Sequence, residues 1–363
     1  MQVHRHRRGL ARVRRALERG RITLGYTGGS ITDGRTGCSW PEPVTAWFVE
    51  QFPAVRVTVE NAAIGATGSD SAVFRAERDL IGRGCDIVFV EYAVNDYGTD
   101  PEPRRRSQEG LIRKLLSREG RDIVLVYTFT QPMYEFMSRG EPPPPIRDLE
   151  ELGEHYGIGS VWMGLHALSE VNAGLMRWEE WLPDGLHPQA RGSLSYAQSV
   201  IAFLRKELVD SPSQGDIPTG EARPAPLNAH NWEHTTLLPF SAVKLEGPWT
   251  IRRWLLNPWI DEALCTSAIG AKLRFEFEGR GLALAFDFGK TSSEFRWRLD
   301  GGEWTPVVRE RPDWRGPQGS FYLSLLADDL PARRHKAEIE VTHGNRPDCT
   351  GTNFHLGLIG VIR

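Results

Sequence analysis

Four short stretches of the chain hold residue types that could act together on a carbonyl group. Gly28-Gly29-Ser30-Ile31-Thr32 sets a hydroxyl after two glycines, which permit a tight turn with backbone N–H groups beside Ser30. Asn61-Ala62-Ala63-Ile64-Gly65-Ala66-Thr67 carries Gly65, where backbone could come close to a ligand. Glu91-Tyr92-Ala93-Val94-Asn95-Asp96 supplies, in Asn95, an amide able to donate to an oxyanion. Asp184-Gly185-Leu186-His187-Pro188 puts a carboxylate three residues ahead of an imidazole, across a glycine. That spacing lets Asp184 fold back onto the Nδ1–H of His187 and leaves Nε2 free as a base, the orienting logic of a Ser-His-Asp triad. Each stretch alone has a plainer reading: a turn, a loop glycine, a loop start, a capping Asp beside a surface His. Their order and joint placement at strand ends make them one site.

Other chemistries find no support. The chain has no G-x-S-x-G, no H-E-x-x-H and no G-x-G-x-x-G. Gly289-Lys290-Thr291 resembles the end of a phosphate-binding loop, but the leading glycine of that pattern would fall on Leu284. His4 and His6 read as part of a basic terminus rather than as metal ligands. The four cysteines, Cys38, Cys85, Cys265 and Cys349, never form C-x-x-C and read as ordinary thiols. Neither a metal nor a cofactor is expected.

The elements that must position these residues follow from hydrophobic periodicity. At 363 residues the chain is long enough for about two domains. Residues 4–20 read as a short basic helix packed by Leu10, Val13 and Leu17. Short apolar strands at Ile22–Thr27, Val55–Glu60, Asp86–Tyr92, Ile123–Thr128 and Ser160–Met163 then alternate with helices at 43–51, 69–82, 105–118, 165–172 and 191–209. That rhythm predicts a parallel sheet, buried on both faces, with helices on either side. Ligands of such sheets bind beyond the carboxyl ends of the strands, where the four stretches fall. Residues 132–146 read as a long loop rimming the site or as an oligomer contact. Residues 210–226, with four prolines, read as a linker. From 227 onward, alternating runs such as 272–278, 282–288 and 336–342, divided by turns like Asp300-Gly301-Gly302, predict an antiparallel, jelly-roll-like β-sandwich.

The set of blocks resembles the SGNH (GDSL-like) hydrolase superfamily, over roughly residues 21–208. The resemblance implies a flavodoxin-like three-layer α/β/α domain and, residue by residue, Ser30 as nucleophile, Asp184 and His187 as its triad partners, and Ser30, Gly65 and Asn95 as the oxyanion hole. One departure stands out: the familiar Gly-Asp-Ser is here Gly28-Gly29-Ser30. Asp33, three residues on, is a candidate replacement for the missing acid. Acetyl xylan esterases and related carbohydrate esterases are the members most similar in organisation, although there the sandwich usually precedes the catalytic domain.

Aromatic and hydrogen-bonding residues near the site suit sugar faces: Tyr97, Tyr134, Trp178 and Trp181 are the candidate substrate-binding residues. The expected activity is therefore removal of short acyl, chiefly acetyl, groups from sugars or oligosaccharides. Two alternatives stand beside it, a short-chain carboxylesterase, lysophospholipase or thioesterase on lipid-like substrates, and a non-catalytic glycan-binding protein. Asn228–Trp232 and Trp249–Trp259 read either as cleft-shaping residues or as packing between the domains. The net charge of −3 gives no footprint for nucleic acid. No apolar run approaches the roughly 18 residues of a membrane span. Basic residues occupy the first 21 positions without an apolar segment, so a cytoplasmic location is expected, with a homo-oligomer left open.

Overall fold

The computed structural model describes residues 1–34, 39–117, 121–210, 223–253, 260–315, 319–344 and 346–363. These divide into two compact units, Met1–Glu233 and His234–Arg363.

The first unit is built on a six-stranded sheet in the order β1-β6-β5-β4-β2-β3. Its strands are β1 (His4–Arg5), β2 (Arg21–Gly28), β3 (Arg56–Asn61), β4 (Ile87–Glu91), β5 (Asp122–Val126) and β6 (Gly159–Val161). Strands β2 to β6 are parallel, and β1 pairs antiparallel with β6. The connecting helices are α1 (Ala11–Glu18), α2 (Ser30–Asp33), α3 (Pro41–Gln51), α4 (Ser69–Ala76), α5 (Pro101–Leu115), α6 (Tyr134–Ser138), α7 (Pro144–Tyr156), α8 (Met163–Asn172), α9 (Trp178–Trp181) and α10 (Ala190–Arg205). The run Ile-Val-Phe-Val of β4 is wholly buried, as a strand covered on both faces must be. β3 differs from that expectation. It is the edge strand, and Val59 on it is 40 % exposed. Among the described residues no helix is long and apolar enough to cross a membrane.

Two local expectations need correction. Residues 4–20 are not one helix, because Gly9 turns the chain at φ 78° and only Ala11–Glu18 is helical. Ahead of it the basic residues are tied down: His4 Nε2 lies 2.8 Å from the Ser199 carbonyl, and Arg7 donates to the Ile158 carbonyl at 2.6 Å. Partners supplied by β6 and α10 therefore outweigh helix propensity. The stretch 132–146 is likewise no simple loop, since α6 occupies its centre and α7 opens at Pro144, a favourable first position for a helix.

Of the linker, residues 211–222 lie outside the described residues. From Arg223 the chain docks on α5: the backbone N–H groups of Leu227 and Asn228 donate to Glu109, and Arg113 pairs with Glu233 at 2.7 Å. Trp232 is fully buried in the first unit near Phe74, so it forms part of that core and no cleft wall.

The second unit contains two antiparallel sheets. One runs β15 (Ser320–Ala327), β12 (Gly281–Phe288), β17 (Phe354–Ile362), β10 (Ala263–Thr266), β9 (Thr250–Arg252), with β7 (Thr235–Leu237) also on β17. The other runs β14 (Thr305–Val307), β13 (Glu294–Leu299), β16 (Arg333–Thr342), β11 (Lys272–Gly279), β8 (Lys244–Glu246). Alternation along β11 sends Leu273, Phe275 and Phe277 into a core shared with Phe286, Phe295, Ile339 and Phe354. The Asp300-Gly301 turn forms as its sequence suggests, with φ 52° and 75° and a Gly302 N–H to Leu299 carbonyl bond of 2.8 Å. Trp249 packs edge-on against Phe354 in this sandwich; Trp254 and Trp259 lie outside the described residues.

Candidate active site

β2 ends at Gly28, and Ser30 opens the helical turn α2 directly beyond it. As the first residue of that turn, Ser30 has an N–H with no partner inside the helix. The Ser30 hydroxyl lies 2.9 Å from Nε2 of His187, which is 157 residues away in the chain. On the other side of the ring, Nδ1 is 2.8 Å from Asp184 Oδ2. The second oxygen, Oδ1, accepts the backbone N–H groups of Leu186 at 2.9 Å and His187 at 2.7 Å. Gly185, at φ 77°, makes the fold-back possible, and its carbonyl accepts the Gln131 N–H at 2.9 Å. Burial acts against the Asp184 carboxylate, but the His187 ring and these two backbone donors outweigh it and hold the group below its ordinary range.

The loop after β3 is stitched to the Ser30 turn. Ile64 N–H donates to the Gly28 carbonyl at 3.0 Å, and Asn61 Nδ2 donates to the Thr32 carbonyl at 2.9 Å. Gly65 is thereby brought beside α2, yet its N–H is engaged: it donates to Asp33 Oδ2 at 2.9 Å. Asn95 lies over Gly29. A Cβ placed on Gly29 would sit 1.9 Å from Asn95 Oδ1, so the amide fills the space that any side chain at 29 would need. Among the described residues the Asn95 amide has no hydrogen-bond partner, whereas its neighbour Asp96 is buried and accepts from Ser69 N–H at 2.9 Å and Gln108 Nε2 at 2.8 Å.

A cleft of about 1010 Å³ opens beside the Asp184–His187 loop, lined by Tyr97, Gln131, Tyr134, Glu135, Trp178 and Asp184 among others. Tyr134 and Trp178 are 45 % and 38 % exposed, and their rings meet edge to face at 6.0 Å. Trp181 does not belong with them. It is completely buried, stacked under Trp178 at 5.0 Å and against Phe129 at 4.8 Å. The three-residue spacing on α9 puts the two rings on one face, where they stack with Trp178 outermost at the cleft and Trp181 beneath it in the core. Trp181 therefore supports Trp178 and cannot itself contact a substrate.

Two carboxylates emerge here, Asp33, which the sequence offers as the replacement for the missing acid, and Glu91, to which sequence reasoning gave no role. Asp33 holds the Gly65 N–H, and Glu91, at the end of β4, lies beneath the Ser30 turn. The signal for Glu91 was present: a charge ending an otherwise apolar, buried strand must have a local purpose. Burial pushes its carboxyl up to about 7, against hydrogen bonds from Thr128, Thr32 and Gly29. Among the described residues no group of three or more His, Cys, Asp or Glu side chains could hold a metal ion.

Residues 27–193 match the model of the GDSL-like lipase/acylhydrolase family. No curated protein sequence matches the chain. Among solved structures, a two-domain esterase (CEX) active on acetylated mannans, co-crystallised with mannopentaose, is 24 % identical with a TM-score of 0.80, covering 98 % of this chain and 95 % of its own. The acetylxylan esterase Axe2 of Geobacillus stearothermophilus is 18 % identical with a TM-score of 0.42, covering 50 % of this chain and 94 % of its own. A GDSL-like lipase from Parabacteroides merdae is 18 % identical with a TM-score of 0.44, covering 50 % of this chain and 94 % of its own. The match over 27–193 covers the segment that carries Ser30, Gly65, Asn95, Asp184 and His187; over that segment the chain is similar to the GDSL-like lipase/acylhydrolase family, and over both units it shares the fold of the two-domain esterase.

Proposed function

We propose that the chain is a carbohydrate O-deacetylase that removes acetyl groups from sugars or oligosaccharides through Ser30, His187 and Asp184. The observation that carries this reading is the continuous relay from Ser30 to His187 at 2.9 Å and on to Asp184 at 2.8 Å, beside a cleft rimmed by exposed aromatic rings. Asp184 fixes the tautomer with the proton on Nδ1, so Nε2 accepts the Ser30 proton as Oγ attacks the ester carbonyl. The oxygen that becomes negative is held by the Ser30 N–H and the Asn95 amide. The Gly65 N–H, which donates to Asp33 Oδ2, is the third donor this reading assigns. His187 returns its proton to the departing sugar hydroxyl, leaving acetyl-Ser30. Water, deprotonated by the same nitrogen, releases acetate and regenerates the serine.

The cleft favours a sugar over a long acyl chain. Gln131, Glu135, Ser138 and Glu179 bring polar groups to its walls, while Trp178 and Tyr134 offer the flat apolar faces on which pyranose rings stack. The activity on acetylated mannans of the esterase whose fold matches over both units supports acetylated oligosaccharides as the substrate class.

The deciding experiment is hydrolysis of p-nitrophenyl esters from acetate to octanoate, with acetylated manno- and xylo-oligosaccharides alongside and Ser30→Ala as control. We expect the highest rate on acetate, release of acetate from the oligosaccharides, and a loss of roughly 10⁴-fold or more in kcat for the variant. A maximum at octanoate would move the substrate to lipids. Turnover independent of Ser30 would remove the serine mechanism.

A further inference from the structure

The second glycine of the nucleophile block stands where the family's motif carries an acid. Nothing can be restored at that position without displacing Asn95, whose Oδ1 would lie 1.9 Å from a Cβ on Gly29. A carboxylate nevertheless reaches the turn from the neighbouring strand. Glu91 pairs with Gly28 across β2 and β4, and its side chain is completely buried. Oε2 accepts the Thr32 hydroxyl at 3.0 Å and the Gly29 N–H at 3.4 Å, and Oε1 accepts the Thr128 hydroxyl at 2.6 Å. Gly28 makes room for it: a Cβ there would be 2.8 Å from Oε2.

We propose that Glu91 is the positioning carboxylate of the nucleophile turn, holding the backbone on both sides of Ser30 in place of the acid missing from position 29. The assignment rests on the serine-esterase reading above. A carboxyl with no exposure is costly to bury, and among the described residues no cation bridges to it. The four residues ahead of it on β4 are Ile, Val, Phe and Val, which is what packing alone asks for. What distinguishes Glu91 is its set of donors. Gly29 and Thr32 bracket Ser30 at the start and third position of α2, and Thr128, just beyond the end of β5, anchors the other oxygen. The carboxylate thus ties the turn to two strand ends, so that the Ser30 hydroxyl keeps its line to His187.

Glu91→Gln keeps the size of the side chain and removes the carboxylate. Measured on p-nitrophenyl acetate, it is expected to lower kcat at least tenfold with KM within about twofold. The second-order rate of Ser30 labelling by a serine-directed phosphonate should fall in parallel. Thr128→Val removes one donor and is expected to lower kcat about threefold in the same direction. It also serves if Glu91→Gln does not fold. A Glu91→Gln enzyme with kcat and labelling rate within twofold of wild type overturns the proposal, as does a Thr128→Val enzyme with lowered melting temperature and unchanged kcat. If Ser30→Ala has already abolished turnover, either result refutes the role of Glu91 alone. If Ser30→Ala retains turnover, the serine reading and the role of Glu91 fall together.

Discussion

Asp184 is more than half exposed and His187 about one-third exposed, so their ion pair contributes little to stability. Its work is orientation. Three donors from one short loop leave the Asp184 carboxylate a single geometry, and that geometry points Nε2 at Ser30. The opposite case is Trp178, where exposure is the functional property. Because its ring faces the cleft beside Tyr134, Trp178→Ala should raise KM for acetylated oligosaccharides roughly five- to tenfold, the scale of one aromatic contact. The same variant should leave p-nitrophenyl acetate kinetics within about twofold, since that ester does not span the cleft. Steady-state kinetics on the two substrates decide the point: equal losses on both would make Trp178 a structural residue.

At the level of elements, the site is assembled from strand ends and the turns that follow them. The turn at Gly185 carries the most demand, because its φ of 77° lies in the left-handed region and a Cβ there would meet Gln131 Oε1 at 2.9 Å. Gly185→Ala should therefore cost about 1–2 kcal/mol of local strain and shift the Asp184–His187 pair. We expect kcat to drop at least tenfold while far-ultraviolet circular dichroism stays unchanged; unchanged kcat would show that the loop tolerates displacement. Much of this scale was legible in the sequence. Strands β2, β4, β5 and β6 lie within two residues of their expected limits, since short buried runs bounded by turn residues are local signals. β1 was not legible, because a two-residue strand exists only through its partner β6.

For the whole molecule, the buried carboxyls set the pH dependence of stability. Burial raises Glu91, Asp96 and Asp122 to about 7. For an acid whose folded value is raised, stability is fully present below the unfolded value of about 4 and is lost as pH climbs through the folded one. His4 and His166 act in the opposite direction, because burial lowers them and stability rises with pH toward their ordinary value. Three raised carboxyls stand against these two imidazoles in the first unit. At the acid end, Asp184 and Glu233 are held low by their donors and lose stability on protonation. The first unit should thus be most stable near pH 5, with its melting temperature about 3 °C or more higher at pH 5.5 than at pH 8. Thermal melts across pH 4–9 test this, and a melting temperature that rises from pH 5.5 to 8 would contradict it.

The amino-acid sequence by itself determined the alternation of strands and helices, the change to a sandwich after the proline-rich stretch, and the residues that could do chemistry. These follow from local periodicity, turn chemistry and the rule that parallel strands deliver their carboxyl ends to one edge. Asp184 and His187 were readable as a pair because three residues across a glycine is a local relation. Only the tertiary structure decided which of two nearby tryptophans meets the cleft, which carboxylate reaches the Gly65 N–H, and how Glu91 and Asn95 divide the space around Gly29. Each of those depends on packing between segments tens of residues apart, and burial and hydrogen-bond partnership are properties of the folded neighbourhood rather than of spacing along the chain.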